Sequence, residues 1–453
     1  MGFRFYMKST ASFLIVIFLI YFFTRETWFL MNEVSRTRAD GGVDSNDLKP
    51  LLDSLHAAFA EQGDLKDTSE DTTEFPVESS SKTESMAIVE AQKTNVSASS
   101  VLSHQLGNAQ RFMKNKNITF SQSPLEKHHV VFLKVHKTGS STVQNIFLRY
   151  GYHRKLTFVL AHDDVSLAET NFPNVISYRN SLNGKNICPP PQGQHYDILC
   201  CHVIYNKYNF SQYMPSDTVY IAIVRDPITR VESAIRYFNM YPNVNLADFA
   251  LDPLKYDTTP HSMSNNRMAF EFGFPLELFP RRKIRIPDKE KRAQDYINVV
   301  INDFSLIMIN ERMDESVILL KRILGWSFKD VVYQKQNVAK NNNRRFTETD
   351  VANLEKHLYL DTALYVRALA EFNKKIAKAG KEFLDEVEYF KTIQNKTAEF
   401  CSRKTFGDSP LRFEKSLWDN SFEIDKSDCD LFTKFETTFI QDIRMQMYGK
   451  LKI

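Results

Sequence analysis

Apolar and polar positions divide the chain into three parts. Residues 9–24 are uncharged and mostly apolar, whereas residues from about 32 to 121 are rich in Ser, Thr, Asp and Glu and poor in aromatics. From about His128 onward, short apolar runs alternate with helical patterns. The pattern predicts a cytosolic tail at 1–8, a transmembrane helix at 9–24, a largely disordered stem at 25–122 and a globular domain at 123–453.

The third part contains five apolar runs that resemble buried strands. They are Val130–Val135, Leu156–His162, Asp197–Ile204, Thr218–Val224 and Phe304–Asn310. Helical patterns lie between or after them, which favours an α/β fold with a central, mostly parallel sheet flanked by helices. Ligands in such folds bind at the carboxyl ends of the strands.

The apolar segment at 9–24 is slightly short for an average bilayer, in which about 20 residues are usual. Lys8 and Arg25 flank it, and their side chains can reach toward the lipid headgroups. No small-x-small cleavage site follows, which favours a signal anchor over a cleaved signal peptide. Positive charge before the segment predicts a single-pass type II orientation with the domain in the lumen.

Two further features agree with a lumenal location. Asn-x-Ser/Thr sequons begin at Asn95, Asn117, Asn209 and Asn395. All five cysteines follow the apolar segment, which permits two disulfides and one thiol in an oxidising compartment. We expect Cys401 to pair with Cys429, and at least one of Cys200 and Cys201 to be a buried small residue.

The net charge of +3 conceals an uneven distribution. The segment Asp40–Glu90 has 13 acidic and 3 basic residues, so the other 42 acidic and 55 basic residues leave a surplus of +13. This surplus suits an anionic ligand, although a merely soluble basic surface is an equal alternative.

The stretch FLKVHKTGSST, residues 132–142, has the composition of an anion-binding loop. Backbone N–H groups and the dipole at a helix N-terminus attract anions, and Lys137 adds a positive charge. The lysine precedes Gly139 by two, unlike the GxxxxGK[ST] nucleotide loop, so the loop suits one phosphate better than a triphosphate. An ordinary Ser/Thr helix cap remains the alternative.

The stretch VYIAIVRDPITRVESAIRYF ends a second strand at Val224 and begins a helix near Pro227. Arg225 lies at the strand end, and Ser233 lies roughly two turns into the helix. The two side chains could hold a second phosphate, unless Arg225 simply pairs with Asp226 or Glu232.

These two stretches resemble the Golgi carbohydrate sulfotransferases that use 3′-phosphoadenosine 5′-phosphosulfate (PAPS), and within them the galactose 3-O-sulfotransferase family. CCHVIYN, NRMAFEFGF and DESVILLKRILGWSFKDVVYQKQN are also similar to that family. The resemblance implies a P-loop-like sulfotransferase fold and in-line transfer of a sulfuryl group from PAPS to the 3-hydroxyl of a terminal galactose on a glycolipid or glycoprotein. It also implies a Golgi membrane location.

The resemblance further implies residue roles. The donor would be bound by residues of the first loop, by the second stretch and by a lysine in YQKQN: Lys137, Thr138, Gly139, Ser140, Ser141, Thr142, Arg225, Ser233 and Lys335. Lys137 would also neutralise charge on the leaving oxygen. His202 is the expected base and His136 the alternative. Arg267 and Ala269 in NRMAFEFGF depart from the family pattern, so the acceptor stays open.

Three other functions remain as alternatives: a uronic-acid 2-O-sulfotransferase, a nucleotide kinase and a non-catalytic lumenal carbohydrate-binding protein. The sequence has no CxxC, no HxxxH pair and no acidic calcium loop, so we expect no catalytic metal. We expect no nucleic-acid partner. The oligomeric state and the identity of the galactose acceptor are not encoded in these patterns.

Overall fold

The computed structural model describes residues 125–162, 172–257, 259, 261–280, 287–334, 345–403 and 409–451. Their elements, in chain order, begin with β1 Val130–Leu133, α1 Ser140–Arg154, β2 Ile198–Leu199, α2 Lys207–Ser211, β3 Val219–Val224, α3 Pro227–Tyr237, α4 Leu246–Leu251, α5 Pro253–Tyr256 and α6 Arg267–Glu271. They continue with α7 Lys289–Asp303, β4 Leu306–Ile309, α8 Met313–Leu324, α9 Phe328–Val331, α10 Glu348–His357, α11 Tyr359–Cys401, β5 Leu411–Phe413, β6 Phe422–Ile424, α12 Lys426–Thr433 and α13 Glu436–Tyr448. Short 3₁₀ turns occupy Leu276–Leu278 and Asn310–Arg312.

The central sheet has four strands in the order β2-β1-β3-β4, and all its pairings are parallel. Its strands are almost completely buried, as expected for a sheet with helices on both faces. The predicted α/β class and four of the five predicted strands are therefore confirmed. Because all four strands run the same way, the loops after them meet at one edge, where Lys137, His202 and Arg225 lie.

The fifth prediction, a strand over Leu156–His162, is wrong. Phe158 forms one parallel bridge with Ile198, and Ala161 forms one antiparallel bridge with Ile187. The segment changes partner within three residues, so no repeated register develops. Its apolar side chains are buried by packing, and this explains the strand-like sequence.

Helix α1 lies deep within the protein, since Thr142–Gly151 are all buried. A cation on this helix, Arg149, is satisfied by the carbonyls of residues 329, 330 and 332. Helices α8 and α11 pack on β4, and α13 packs against α1. Helix α11 is interrupted at Gly380, whose φ of 72° and ψ of −165° are not helical.

The disulfide predicted between Cys401 and Cys429 is confirmed, with the two Cα atoms 5.4 Å apart. It joins the end of α11 to α12, and α13 follows directly. Cys188, Cys200 and Cys201 lie outside this bridge and are buried, which also agrees with the expectation for Cys200 and Cys201. The covalent link therefore holds the C-terminal helices against the rest of the domain.

Several predictions concern residues outside the described ranges. The anchor at 9–24, the stem at 25–122 and Lys335 are among them. Within the described ranges, no helix combines the length and the apolar character needed to cross a membrane.

Candidate active site

The loop after β1 has an unusual backbone at two positions. Lys137 and Gly139 have φ angles of 65° and 77°, in the left-handed region. Gly139 also lies against the residue that follows β4, because a Cβ at this position would be 2.3 Å from Asn310 Oδ1. Only glycine fits both the backbone angle and the space. The loop shape is thus fixed by packing across two strand ends.

The hydroxyl groups of this loop mainly bond to the protein. Thr138 Oγ1 and Ser140 Oγ donate to the carbonyl of Val135 at 3.0 and 2.5 Å. Ser141 Oγ donates to Glu436 Oε2 at 2.8 Å. In this arrangement the hydroxyls shape the loop, which leaves Lys137 and the backbone N–H groups of the first α1 turn as the groups suited to an anion.

The structure brings the two sequence stretches together. Arg225 follows β3 directly, and β3 is the neighbour of β1 in the sheet. One guanidinium nitrogen of Arg225 donates to the carbonyl of Lys137 at 3.3 Å, and Nε donates to Thr229 Oγ1 at 3.2 Å. Arg225 is therefore placed at the same strand-end edge as Lys137, where the charges of Glu311, Asp226 and Glu232 also act on it.

Helix α3 presents one face to this edge. Thr229, Ser233 and Tyr237 are four residues apart and so lie on one face of the helix. The first contacts Arg225, and the ring of the third lies 3.5 Å from Lys137 Nζ. Ser233 lies between them and is half-buried, so it faces the same crevice as Lys137 and Arg225.

Positive charge accumulates in this crevice. Burial, together with the nearby cations Arg225, Arg236 and Lys134, lowers the pKa of Lys137 to about 8, against the opposing charge of Glu436. Burial also lowers the pKa of Arg225. Cations that destabilise one another in this way gain stability when an anion binds between them.

His136 and His202 form a stacked pair. His136 follows β1 by three residues, His202 follows β2 by three, and β1 and β2 are adjacent. The ring centroids are 3.6 Å apart with an interplanar angle of 18°. The register of the sheet alone brings these side chains together, although 66 positions separate them in the sequence.

Hydrogen bonds determine which ring nitrogen carries the proton. His202 Nδ1 lies 2.8 Å from the carbonyl of Lys134, which can only accept, so Nδ1 is the donor. His136 Nδ1 bonds to Glu271 Oε1, and its backbone N–H donates to Oε2 at 2.8 Å. Burial lowers the pKa of both histidines, that of His202 strongly. Both rings are thus neutral near pH 7, with a lone pair on Nε2.

Glu271 is a buried carboxylate that the sequence analysis did not select. Although burial would raise its pKa, the charge of Arg267 and the hydrogen bonds from His136 lower it to about 2. Arg267 lies 3.1 Å from Glu271 Oε1, and both side chains are 1% exposed. Arg267 therefore keeps Glu271 ionised, and Glu271 orients His136.

A second missed carboxylate lies on the opposite side of the loop. Glu436, the first residue of α13, accepts hydrogen bonds from Lys134 Nζ at 2.6 Å, Ser141 Oγ at 2.8 Å and Asn174 Nδ2 at 2.7 Å. Burial would raise its pKa, but Lys134 and these hydrogen bonds hold it below the usual value. Glu436 thus pairs with Lys134, and its charge also opposes the lowering of the Lys137 pKa.

The sequence contains a local indication of Glu271 but none of Glu436. Glu271 lies in the apolar stretch MAFEFGF, and an acidic residue among buried positions is unusual enough to be noticed. Glu436 is 295 residues from Ser141, and no local pattern indicates its role.

Three groups in this crevice could in principle bind a metal: His136, His202 and Glu271 have donor atoms within 4.8 Å of one another. However, Nδ1 of His202 is directed to a carbonyl, and the Glu271 oxygens already accept from His136 and Arg267. Each of these three groups therefore takes part in hydrogen bonds within the protein.

Comparison with known proteins now decides the family. The family model for galactose-3-O-sulfotransferase matches residues 65–414, most of the chain. The chain belongs to the galactose-3-O-sulfotransferase family. The resemblance read from HKTGSST and the RDP stretch is thereby confirmed.

Individual members of the family are moderately similar. Galactose-3-O-sulfotransferase 3 of Mus musculus is 30% identical over 302 residues, which cover 64% of this chain and 66% of that protein. Galactosylceramide sulfotransferase of Homo sapiens is 28% identical over 276 residues, covering 56% and 59%. The matched part of the chain thus spans 66% and 59% of the length of these two relatives.

Proposed function

We propose that this protein transfers the sulfuryl group of PAPS to the 3-hydroxyl of a terminal galactose on a glycolipid or glycoprotein. The observation that carries the proposal is the meeting of Lys137 and Arg225 beside two neutral histidines at one edge of a parallel sheet. Family membership supports galactose as the acceptor over a uronic acid. We further propose a Golgi membrane location with the domain in the lumen.

The cations would hold the donor. Lys137 and the N–H groups of the first α1 turn suit the 5′-phosphate and its sulfate, and Arg225 with Ser233 suits the 3′-phosphate. During transfer, negative charge develops on the bridging oxygen between phosphorus and sulfur. Lys137 is preorganised to neutralise that charge.

A histidine would accept the acceptor's proton. As the galactose oxygen forms its bond to sulfur, the bond from sulfur to the bridging oxygen breaks, and the hydroxyl proton passes to an imidazole Nε2. The products are the sulfated galactoside and 3′-phosphoadenosine 5′-phosphate. Because the transfer is direct, no covalent enzyme intermediate and no catalytic metal are required.

We propose His202 as this base and His136 as the alternative. Both present a lone pair on Nε2. The resemblance of CCHVIYN to the family supports His202, whereas the hydrogen bond from Nδ1 to the Glu271 carboxylate supports His136 as the alternative. The test compares the turnover of His202→Ala and His136→Ala with that of a control variant, His153→Ala, which changes an exposed histidine. His202→Ala should lose at least about a hundredfold in turnover and still bind 3′-phosphoadenosine 5′-phosphate. Near-normal turnover of this variant would exclude His202 as the base.

Donor use has a separate test. The unfolding temperature should rise with 3′-phosphoadenosine 5′-phosphate and remain unchanged with ATP. A rise with ATP would favour a nucleotide kinase, and no rise with either would favour a carbohydrate-binding protein.

Labelled PAPS with a panel of galactosides and uronic-acid glycans, followed by mass spectrometry, would identify the acceptor. Loss of activity on chelation, restored by one divalent ion, would contradict the metal-free mechanism.

A further inference from the structure

Three metal-ligating side chains converge at the edge of the sheet opposite to the active site. His129 and Asp197 immediately precede β1 and β2, and His195 lies two residues before Asp197. The candidate active site is built on the carboxyl ends of these strands, whereas this cluster lies at their amino ends. The cluster is therefore a separate feature of the fold.

The three donor atoms form a nearly equilateral triangle. His129 Nε2 and His195 Nε2 are 3.2 Å apart, His195 Nε2 and Asp197 Oδ1 are 3.2 Å apart, and His129 Nε2 and Asp197 Oδ1 are 3.5 Å apart. In a tetrahedral zinc site with bonds of 2.0–2.1 Å, neighbouring ligand atoms are separated by about 3.3–3.4 Å. The observed triangle has the size of one face of that tetrahedron.

The surrounding hydrogen bonds direct electron pairs into the triangle. Asp217 Oδ1 lies 2.6 Å from His129 Nδ1, and because an ionised carboxylate only accepts, Nδ1 carries the proton. A neutral His129 then presents its Nε2 lone pair to His195 and Asp197. The other oxygen of Asp197 accepts from the backbone N–H of Thr157 at 2.7 Å, which fixes its carboxylate. A carboxylate bonded to the far nitrogen of a histidine is the usual outer support of a zinc ligand.

We propose that His129, His195 and Asp197 bind a Zn²⁺ ion or a similar imidazole-preferring divalent cation. Two imidazoles and one carboxylate favour zinc over magnesium or calcium, which prefer all-oxygen sites. The His195 side chain is 65% exposed, so water can occupy the fourth position. The ion would tie the loop before β2 to the amino ends of β1 and β3, and its role would be structural.

The alternative is that a proton holds the cluster together. A protonated His195 could donate to His129 or to Asp197, and the site would then have no metal affinity. Metal binding distinguishes the two possibilities directly, without reference to sulfotransferase activity.

The test uses the purified full-length chain, stripped with chelator and titrated with Zn²⁺ against a competing chromophoric chelator. His195→Ala should bind at least tenfold more weakly, and Asp217→Asn about 10–100-fold more weakly as an outer-shell change. His153→Ala, an exposed histidine outside the cluster, should bind like the wild type. This difference isolates the site from any ion taken up elsewhere.

Two further readouts accompany the titration. Co²⁺ should give the intense visible absorption of four-coordinate cobalt in the wild type and lose it in His195→Ala. Zn²⁺ should raise the unfolding temperature of the wild type more than that of His195→Ala. Equal zinc affinity in wild type and His195→Ala, or absence of binding to the wild type, would overturn the proposal in favour of the protonated cluster.

Discussion

Replacement of Glu271 by glutamine tests the central electrostatic feature of the candidate site. Glu271 and Arg267 are 3.1 Å apart and both are 1% exposed. At an effective dielectric constant of about 20, their attraction is about 5 kcal/mol. The depression of the Glu271 pKa from 4.5 to about 2 is the net effect of burial, which raises it, and of Arg267 and His136, which lower it, and it corresponds to roughly 3 kcal/mol. Removal of one partner of a buried pair typically costs about 3–5 kcal/mol, in agreement with both figures.

The pH dependence follows from the sign of this shift. A carboxylate whose pKa is lower in the folded protein stabilises it above its unfolded pKa of 4.5, and this stabilisation is lost as the pH falls toward 2. Glu271→Gln should therefore lower the free energy of unfolding by about 3–5 kcal/mol at pH 7. Its difference from the wild type should shrink below pH 4.5.

The measurement is chemical denaturation at pH 7 and at several acidic pH values, as a double-mutant cycle with Arg267→Met. The double variant should be more stable than the sum of the two single changes, because it no longer leaves one buried charge alone. Glu277→Gln is the matched control, since Glu277 pairs with Arg292 at 2.7 Å on the surface. That change should cost less than about 1 kcal/mol.

Turnover provides a second readout of the same variant. A glutamine amide can donate toward His136 Nδ1, so the imidazole would lose its fixed tautomer, and turnover should fall about 10–100-fold if His136 contributes to the reaction. Additive effects in the cycle, or a Glu271→Gln protein within about 1 kcal/mol of the wild type, would refute the proposed ion pair.

Three other predictions address the loop and the C-terminal link. Affinity for 3′-phosphoadenosine 5′-phosphate should fall above pH 8 as Lys137 loses its proton, and Lys137→Arg should remove this dependence, as measured by calorimetry across pH. Gly139→Ala should abolish the binding of that nucleotide, because the added methyl group would collide with Asn310. Gly449 has a similar φ of 69° but open space around its Cβ, so Gly449→Ala should lower the free energy of unfolding by only about 1–2 kcal/mol. Cys429→Ser should lower the free energy of unfolding by about 3–4 kcal/mol, because the bridge to Cys401 closes 28 residues.

One result would contradict each of these three predictions. Unchanged affinity from pH 7 to 10 would show that Lys137 stays charged or lies away from the nucleotide. A Gly139→Ala protein that binds 3′-phosphoadenosine 5′-phosphate like the wild type would show that the loop accommodates the added methyl group beside Asn310. A Cys429→Ser protein that unfolds like the oxidised wild type would show that the bridge does not constrain the unfolded chain.

The sequence by itself determined the class of fold and the position of the candidate site. Buried strands, glycine and proline placement, the loop with Lys137 and Gly139, and the strand end at Arg225 are local patterns, and each is visible within about twenty residues. The expected bridge between Cys401 and Cys429 is also present. A segment such as Leu156–His162 shows the limit, because apolar residues are required both in a strand and in an irregular buried loop.

The tertiary structure decided which distant side chains act on one another. Glu436 reaches Ser141 across 295 positions, and the stacking of His136 on His202 depends on β1 and β2 being neighbours in the sheet. Glu271 becomes an orienting carboxylate only because Arg267 and His136 are buried with it. Charge and hydrogen-bond effects depend on distance and burial, which are set by packing and are not encoded in any local spacing.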